Sequence, residues 1–122
     1  MMEKTFASKE FLFGDQLEWE EVGPGLKRQI MGYDEHILLA RVLFEKGAIG
    51  EVHEHFHSQV TYVVSGKFEL QVGEEKKVIS GGDGFYIPPH VLHGAVCLEK
   101  GELIDVFSPI REDFFPDTAE TN

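Results

Sequence analysis

The chain has 122 residues, 42% of them hydrophobic, and a formal net charge of −11 at pH 7. This length fits one domain with a single core, and the hydrophobic content indicates a globular fold. The negative charge argues against binding to nucleic acid or to an anionic membrane, since both require a basic surface. With one cysteine, Cys97, no internal disulfide can form, and no apolar run suits a signal peptide or a membrane-spanning helix. We therefore expect a soluble, cytoplasmic protein.

The chain reads as a series of short strands. Residues 1–16 are weakly patterned and are predicted to form an N-terminal arm, which could pair with another subunit, while the polar residues 117–122 form a loose tail. Between them lies one domain, 17–116. We predict strands at 17–23, 26–33, 36–45, 51–56, 59–65, 67–72, 76–80, 85–87, 91–98 and 102–107. Regularly spaced glycine and proline turns without a convincing helix are typical of an all-β sandwich or barrel.

A cluster of metal-binding side chains lies between Gly47 and Gly66. Its members are spaced two residues apart: His53, His55, His57 and Gln59. Because residues at i and i+2 share a face of an extended chain, His53 and His55 can point into one space. Imidazoles bind Zn, Ni, Cu, Fe or Mn, whereas the alternative is an exposed, histidine-rich loop without a metal. The framing glycines and the apolar strand that follows favour the metal.

A second cluster lies far along the chain, in residues 82–97. His93 follows the pair Pro88-Pro89, where a central strand cannot continue because two backbone donors are missing. A histidine at such a place is most often structural or exposed. Together with the first cluster, it can supply a third imidazole.

The two clusters resemble the two conserved motifs of the cupins. The first motif is matched by Gly47, His53, His55, Gln59 and Gly66, with Gln59 where the family has Glu. The second is matched by Gly82, Pro88 and His93, with His90 in place of a glycine and Cys97 in place of an asparagine. The resemblance implies a double-stranded β-helix, or jelly-roll, barrel. It also implies one divalent transition metal held by His53, His55, Gln59 and His93, and often a homodimer.

Gln59 changes the charge of the implied site. A neutral amide oxygen leaves the full 2+ charge on the metal, which strengthens its Lewis acidity and its attraction for anions. Three imidazoles and an amide suit Zn, Ni, Fe and Mn alike, so the metal cannot be identified from the ligands. His57 is expected to support the site or to face the substrate rather than to act as a fifth ligand.

A carboxylate interrupts the last predicted strand at Asp105. It could face solvent or be neutralised by Arg111, or it could lie in the barrel mouth as a general acid and base, with Arg111 holding an anion. The C-terminal pattern resembles the small cupins of pectin and alginate breakdown, the KdgF type, which share the HxHxHxQ motif. The residues of this pattern are Asp105, Phe107, Pro109, Arg111, Asp113 and Phe114.

This second resemblance implies an enzyme acting on 4,5-unsaturated uronate monosaccharides. The product would be a linear, ketonised 4-deoxy-5-keto uronate, formed by hydration, ring opening and tautomerisation. Asp105 would transfer a proton and Arg111 would bind the carboxylate or a developing oxyanion. His57, Arg111 and Tyr62 form the expected substrate-binding set, with core packing as the alternative for Tyr62. The cations Lys27, Arg28 and Arg41 could add positive charge at the mouth of the barrel, but solvated positions on their strands are the stronger expectation.

Other functions fit parts of the same pattern. The predicted metal ligands would also serve a cupin dioxygenase, which oxygen consumption would distinguish. A non-catalytic cupin that binds a sugar or a metal would form a tight complex without turnover. A storage protein is disfavoured by the retained metal-binding residues and the short chain.

Overall fold

The computed structural model describes residues 6–115, and their regular structure is almost entirely β. The strands are β1 (Glu20–Gly23), β2 (Leu26–Asp34), β3 (Ile37–Phe44), β4 (Ile49–His53), β5 (Ser58–Val72), β6 (Glu75–Ser80), β7 (Gly84–Ile87) and β8 (His93–Ser108). Two short 3₁₀ turns span Gly14–Gln16 and Glu112–Phe114. Among these described residues, no helix has the length and hydropathy needed to cross a membrane.

All strand pairs are antiparallel, and two long strands connect the halves of the barrel. The path of neighbours runs β1-β2-β3-β8-β5-β6, while β4 pairs with β8 and β7 pairs with β5. The first half of β8 lies between β4 and β5, and its second half lies between β3 and β5. β5 and β8 therefore run through both halves of the barrel. The predicted all-β jelly-roll architecture is confirmed.

The prediction of separate strands on either side of Gly66 and Gly101 is wrong. β5 and β8 continue through these glycines, with irregular pairing between Val63 and Phe68. Gly66 has φ +89°, and a Cβ there would lie 2.6 Å from the Cα of Gly101. The bent strands can pass this closely only because neither residue carries a side chain.

The core has two parts, which lie on either side of the polar site. The larger contains Val42, Phe44, Ala48, Val63, Phe68, Leu70, Cys97 and Leu103. The smaller contains Leu38, Ala40, Phe107 and Ile110. The rings of Phe44 and Phe68 meet edge to face with centroids 5.0 Å apart, and Phe68 is fully buried. Phe68 therefore belongs to the packed core.

The N-terminal segment packs against its own chain. The backbone N–H of Ser8 donates to the carbonyl of Tyr33 at 2.8 Å, and the Gln29 amide donates to the carbonyl of Gly14 at 2.8 Å. Residues 1–5 of the predicted arm and the tail 117–122 lie outside the described residues. The domain boundaries and the pairing of the arm with another subunit stay predictions.

Candidate metal centre and catalytic cavity

Three histidines from distant parts of the chain converge. One ring nitrogen from each of His53, His55 and His93 lies within 4.8 Å of the others. His53 ends β4 and is the direct register partner of His93, which begins β8, so strand pairing sets the distance between them. His55 lies in the loop before β5 rather than in the predicted strand 51–56.

Backbone hydrogen bonds orient each imidazole in the same way. The Nδ1 atoms of His53, His55 and His93 lie 2.8, 3.1 and 2.9 Å from the carbonyl oxygens of Glu51, His57 and Val91. A carbonyl can only accept, so each Nδ1 carries the proton and donates it. Each Nε2 therefore keeps its lone pair, and this second interaction is the usual support of a metal-binding histidine.

The Nε2 atom of His93 is the strongest sign that these residues fit a metal. It is buried and has no hydrogen-bond partner in the described part of the chain. Burial lowers the pKa of His93 to about 4, and it also lowers the pKa of His55. Neutral, oriented imidazoles with an unpartnered nitrogen are the state in which histidine binds a metal ion.

Gln59 connects the imidazoles to the carboxylate. Its Oε1 lies 3.1 Å from the Nε2 of His55, while its Nε2 donates to the Oγ1 of Thr61 at 2.9 Å and to the Oδ1 of Asp105 at 3.3 Å. Because the Asp105 carboxylate can only accept, it fixes the amide nitrogen of Gln59 on its own side. The amide oxygen of Gln59 therefore points toward the histidines. Gln59 can therefore offer that oxygen as a fourth ligand.

Asp105 lies inside the barrel, next to this amide. It is the register partner of Thr61, whose hydroxyl donates to Asp105 Oδ1 at 2.6 Å. Oδ2 receives no side-chain hydrogen bond within residues 6–115 and is open to the cavity. Burial raises the pKa of Asp105 to about 6 against the opposing effects of its hydrogen bonds and of Arg111. The prediction that places this carboxylate in the barrel mouth is consistent with its position.

Arg111 does not form the direct pair with Asp105 that we considered. Its Nε and Nη2 donate to both carboxylate oxygens of Asp113, at 2.9 and 2.7 Å. The guanidinium also lies over the rings of Phe107 and Phe114, at 4.8 and 4.5 Å from their centroids. Asp113 lies only two residues from Arg111 and closes a local bidentate pair with it, which leaves Asp105 free.

Most of the predicted site residues line one cavity of about 270 Å³, although His55 is not part of its lining. Its polar lining is His53, Gln59, His93, Asp105, Arg111 and Arg28. The sequence leaves two positions open for Arg28, a solvated one and one at the mouth of the barrel, and the structure places it in the cavity lining. The alternation of β2 could have indicated it, because Arg28 shares a face with Leu26, which packs against the core.

Two expected substrate-binding residues lie elsewhere. Tyr62 alternates with the buried Thr61 and Val63 and is 52% exposed on the outer face of β5, so it neither lines the cavity nor packs in the core. His57 is buried outside the cavity lining, and its Nε2 lies 3.1 Å from the carbonyl of Ile110. His57 thus contacts the segment that leads to Arg111, and its expected role in supporting the site stays a prediction.

The two departures from the second cupin motif have structural roles. His90 occupies the glycine position and keeps the left-handed backbone, with φ 65°. Its backbone N–H donates to the carbonyl of His55 at 2.8 Å, which steadies the histidine loop. Cys97, at the asparagine position, is buried in the larger core. Neither change disturbs the three imidazoles.

Comparison with known proteins agrees with this geometry. The family described as Cupin domain matches residues 40–107. A "Pectin degradation protein KdgF" from Dickeya dadantii (strain 3937) is 41% identical over 108 residues, which cover 87% of this chain and 98% of the relative. An RmlC-like cupin from Shewanella frigidimarina superposes with a TM-score of 0.87 at 53% identity, covering 88% of this chain and 97% of the other. KdgF from Halomonas sp. gives 0.84 at 39% identity, covering 88% and 100%.

Proposed function

The chain belongs to the cupin family, and we propose that it is a metal-dependent enzyme of pectin and uronate breakdown. Its substrate would be a 4,5-unsaturated uronate monosaccharide, and its product the linear 4-deoxy-5-keto uronate. The observation that carries this proposal is the position of Asp105, which is hydrogen-bonded to Gln59 and open to the cavity beside three converging imidazoles. The identity to pectin degradation protein KdgF supports the substrate class.

The predicted ligand set is His53, His55, His93 and Gln59. A divalent transition metal bound there would supply a Lewis acid for the oxygen atoms of the sugar. The neutral amide of Gln59 keeps the charge of the site high, which suits a substrate that carries a carboxylate. Zn, Ni, Fe and Mn all fit these ligands.

Asp105 has the position for the proton transfers of this reaction. The unsaturated uronate is a cyclic hemiacetal whose ring oxygen is also part of an enol ether. When the anomeric hydroxyl loses its proton, the bond between C1 and the ring oxygen can break, which leaves an aldehyde at C1 and an enolate at C5. Return of the proton to C4 gives the 5-keto group. The net change is an isomerisation that consumes no water, so ring opening and tautomerisation suffice and the expected hydration step is not needed. The Oδ2 atom of Asp105 could take and return this proton.

Thr61 and Gln59 hold Asp105 for this task. Both donate to its Oδ1 atom, at 2.6 and 3.3 Å, which leaves Oδ2 for the substrate. Arg111 lies in the same cavity, where its positive charge would attract the carboxylate or stabilise the enolate. These contacts favour a proton-transfer enzyme over a cupin that only binds its ligand.

The test is direct. Purified protein, loaded in turn with each candidate metal, is given an unsaturated galacturonate or guluronate, and the loss of the double-bond absorbance is followed. We expect acceleration over the uncatalysed rate and a product carrying an aldehyde and a ketone. No acceleration with any of the metals would refute the enzymatic proposal, and oxygen consumption coupled to turnover would favour the dioxygenase alternative.

We also propose that the protein acts in the cytoplasm as a homodimer. The outer wall of the barrel supports the dimer, since Val60 and its register partner Tyr86 are 55% and 56% exposed next to the equally exposed Tyr62. Exposed apolar patches of this kind often mark interfaces. The buried, unpaired Cys97 suits a reducing compartment. Light scattering after size exclusion should give twice the chain mass, and Val60→Asp should return the monomer.

A further inference from the structure

Arg28 is a second arginine of the cavity lining, and the proposed reaction gives it no role. It lies on β2, lines the cavity with Asp105 and Arg111, and has a side chain that is only 18% exposed. An arginine is seldom enclosed to this extent unless something compensates its charge. In a chain with a net charge of −11, a second cation in one small cavity needs an explanation.

The hydrogen bonds of Arg28 leave one edge of its guanidinium free. Its Nε and Nη2 both donate to Oε1 of Glu20, at 2.9 and 2.6 Å, and Nη1 has no protein partner among residues 6–115. Arg111 shows the same arrangement, with Nε and Nη2 on Asp113 and Nη1 without a partner in the described chain. Each arginine is thus held by a carboxylate on one edge and keeps donors for a ligand.

One aromatic ring holds both groups in place. The guanidinium carbon of Arg28 lies 3.7 Å from the centroid of Phe114, and that of Arg111 lies 4.5 Å from the same centroid. Stacking on an aromatic face favours the planar, delocalised cation of arginine over the ammonium group of lysine. The ring therefore brings two like charges together that would otherwise repel each other.

The carboxylates that orient the two arginines cannot neutralise them fully. Glu20 and Asp113 have side chains that are 47% and 60% exposed, so water screens their charges. The arginines themselves are more enclosed, where a bound anion would interact with them more strongly. We propose that Arg28 and Arg111 together form a site for the substrate's carboxylate, with Arg28 selecting acidic over neutral sugars. This proposal rests on the proposed function for the class of sugar.

Arg41 provides a matched control. It is also a partly enclosed arginine of the sheet, but it alternates with the buried Ala40 and Val42 and so lies on the other face of β3. There it donates to Glu102 at 2.6 Å and to Gln29 at 3.0 Å and stacks on Trp19, away from the cavity. Its removal costs the protein one positive charge without touching the proposed anion site. Any effect of net charge alone should appear equally in both variants.

The experiment measures binding separately from turnover. Galacturonate and neutral galactose are titrated calorimetrically into the metal-loaded wild type and into Arg28→Gln, Arg28→Lys and Arg41→Gln. We expect Arg28→Gln to weaken galacturonate binding about 10- to 100-fold, as the loss of a charge-assisted hydrogen bond does, with Arg41→Gln unchanged. The same loss should appear in kcat/KM for the unsaturated uronate, mainly through KM. Galactose should bind weakly and equally to all four proteins.

Each result decides the proposal. Wild-type affinity for galacturonate in Arg28→Gln, or no preference of the wild type for galacturonate over galactose, overturns it. Should Arg28→Gln fail to fold, Arg28→Lys decides, because it keeps the charge and loses the planar fork; unchanged affinity there also overturns the proposal. Charge-dependent binding without turnover would contradict the proposed reaction but support the anion site. Normal turnover by Arg28→Gln would support the proposed reaction but contradict the anion site.

Discussion

The side-chain amide of Gln59 donates to the carboxylate of Asp105 at 3.3 Å, while its oxygen lies 3.1 Å from the Nε2 of His55. One side chain thus joins the proposed metal ligands to the proposed proton carrier. A glutamate at this position could not donate to Asp105 and would place a second negative charge beside it. The exchange of Glu for Gln in the cupin motif is therefore linked to the carboxylate that the reaction needs.

Asp105→Asn should abolish most of the turnover and leave the metal in place. The amide has nearly the shape of the carboxylate but cannot accept and return a proton, so we expect kcat to fall by about 100- to 10,000-fold. The absorbance assay measures this loss, and elemental analysis measures the metal. Glu99→Gln, which changes a charge on the surface, should retain full activity. Loss of metal from Asp105→Asn would instead assign the carboxylate to the metal site.

His93→Ala and His57→Ala should separate the ligands from the supporting histidine. His93 offers a buried, unpartnered Nε2, so its loss should remove the metal and the activity together. His57 lies 3.1 Å from the carbonyl of Ile110, so its loss should leave the metal bound and cost about 1–3 kcal/mol of unfolding free energy. Metal content and chemical denaturation give the two readouts. Retention of a full metal complement by His93→Ala would contradict the assignment.

A chelator should lower both the activity and the melting temperature. A ligand that binds the folded state alone at about 100 times its dissociation constant stabilises that state by about 2.7 kcal/mol. Thermal melts before and after chelation, followed by re-addition of each metal, show the size of this effect. Identical melts of the loaded and stripped protein would mean that the three imidazoles hold no metal.

Gly66→Ala should destabilise the fold far more than Gly47→Ala. Both glycines have positive φ, 89° and 87°, so alanine costs each about 1 kcal/mol of backbone strain. At Gly66 the new Cβ would also lie 2.6 Å from Gly101 Cα and 2.7 Å from the carbonyl oxygen of Glu99, whereas nothing lies within 4 Å at Gly47. We expect Gly66→Ala to lower the free energy of unfolding by about 1–3 kcal/mol more than Gly47→Ala does. Equal denaturation midpoints would show that β5 and β8 do not cross so closely.

The convergence of the histidines could be predicted because the relevant signals are local. For Asp105 the residues alone left solvent and the barrel mouth both open, and the resemblance to the small cupins favoured the mouth. A spacing of two residues, a strand that begins after two prolines and a polar residue within an apolar strand are all visible in the sequence. Fold class followed in the same way from turn spacing and from the two cupin motifs. These features depend on backbone geometry over a few residues, which any chain of this pattern shares.

The tertiary structure decided the features that depend on strands far apart in the sequence. The crossing at Gly66 and Gly101 joins strands that appear separate, since their continuity depends on a partner about 35 residues away. The alternation of side chains along β5 places Tyr62 on the outer face. The C-terminal 3₁₀ turn packs against β2, which places the guanidinium of Arg28 over the ring of Phe114. Neighbouring residues of a strand point to opposite faces of the sheet, and only the packed structure shows which face is enclosed.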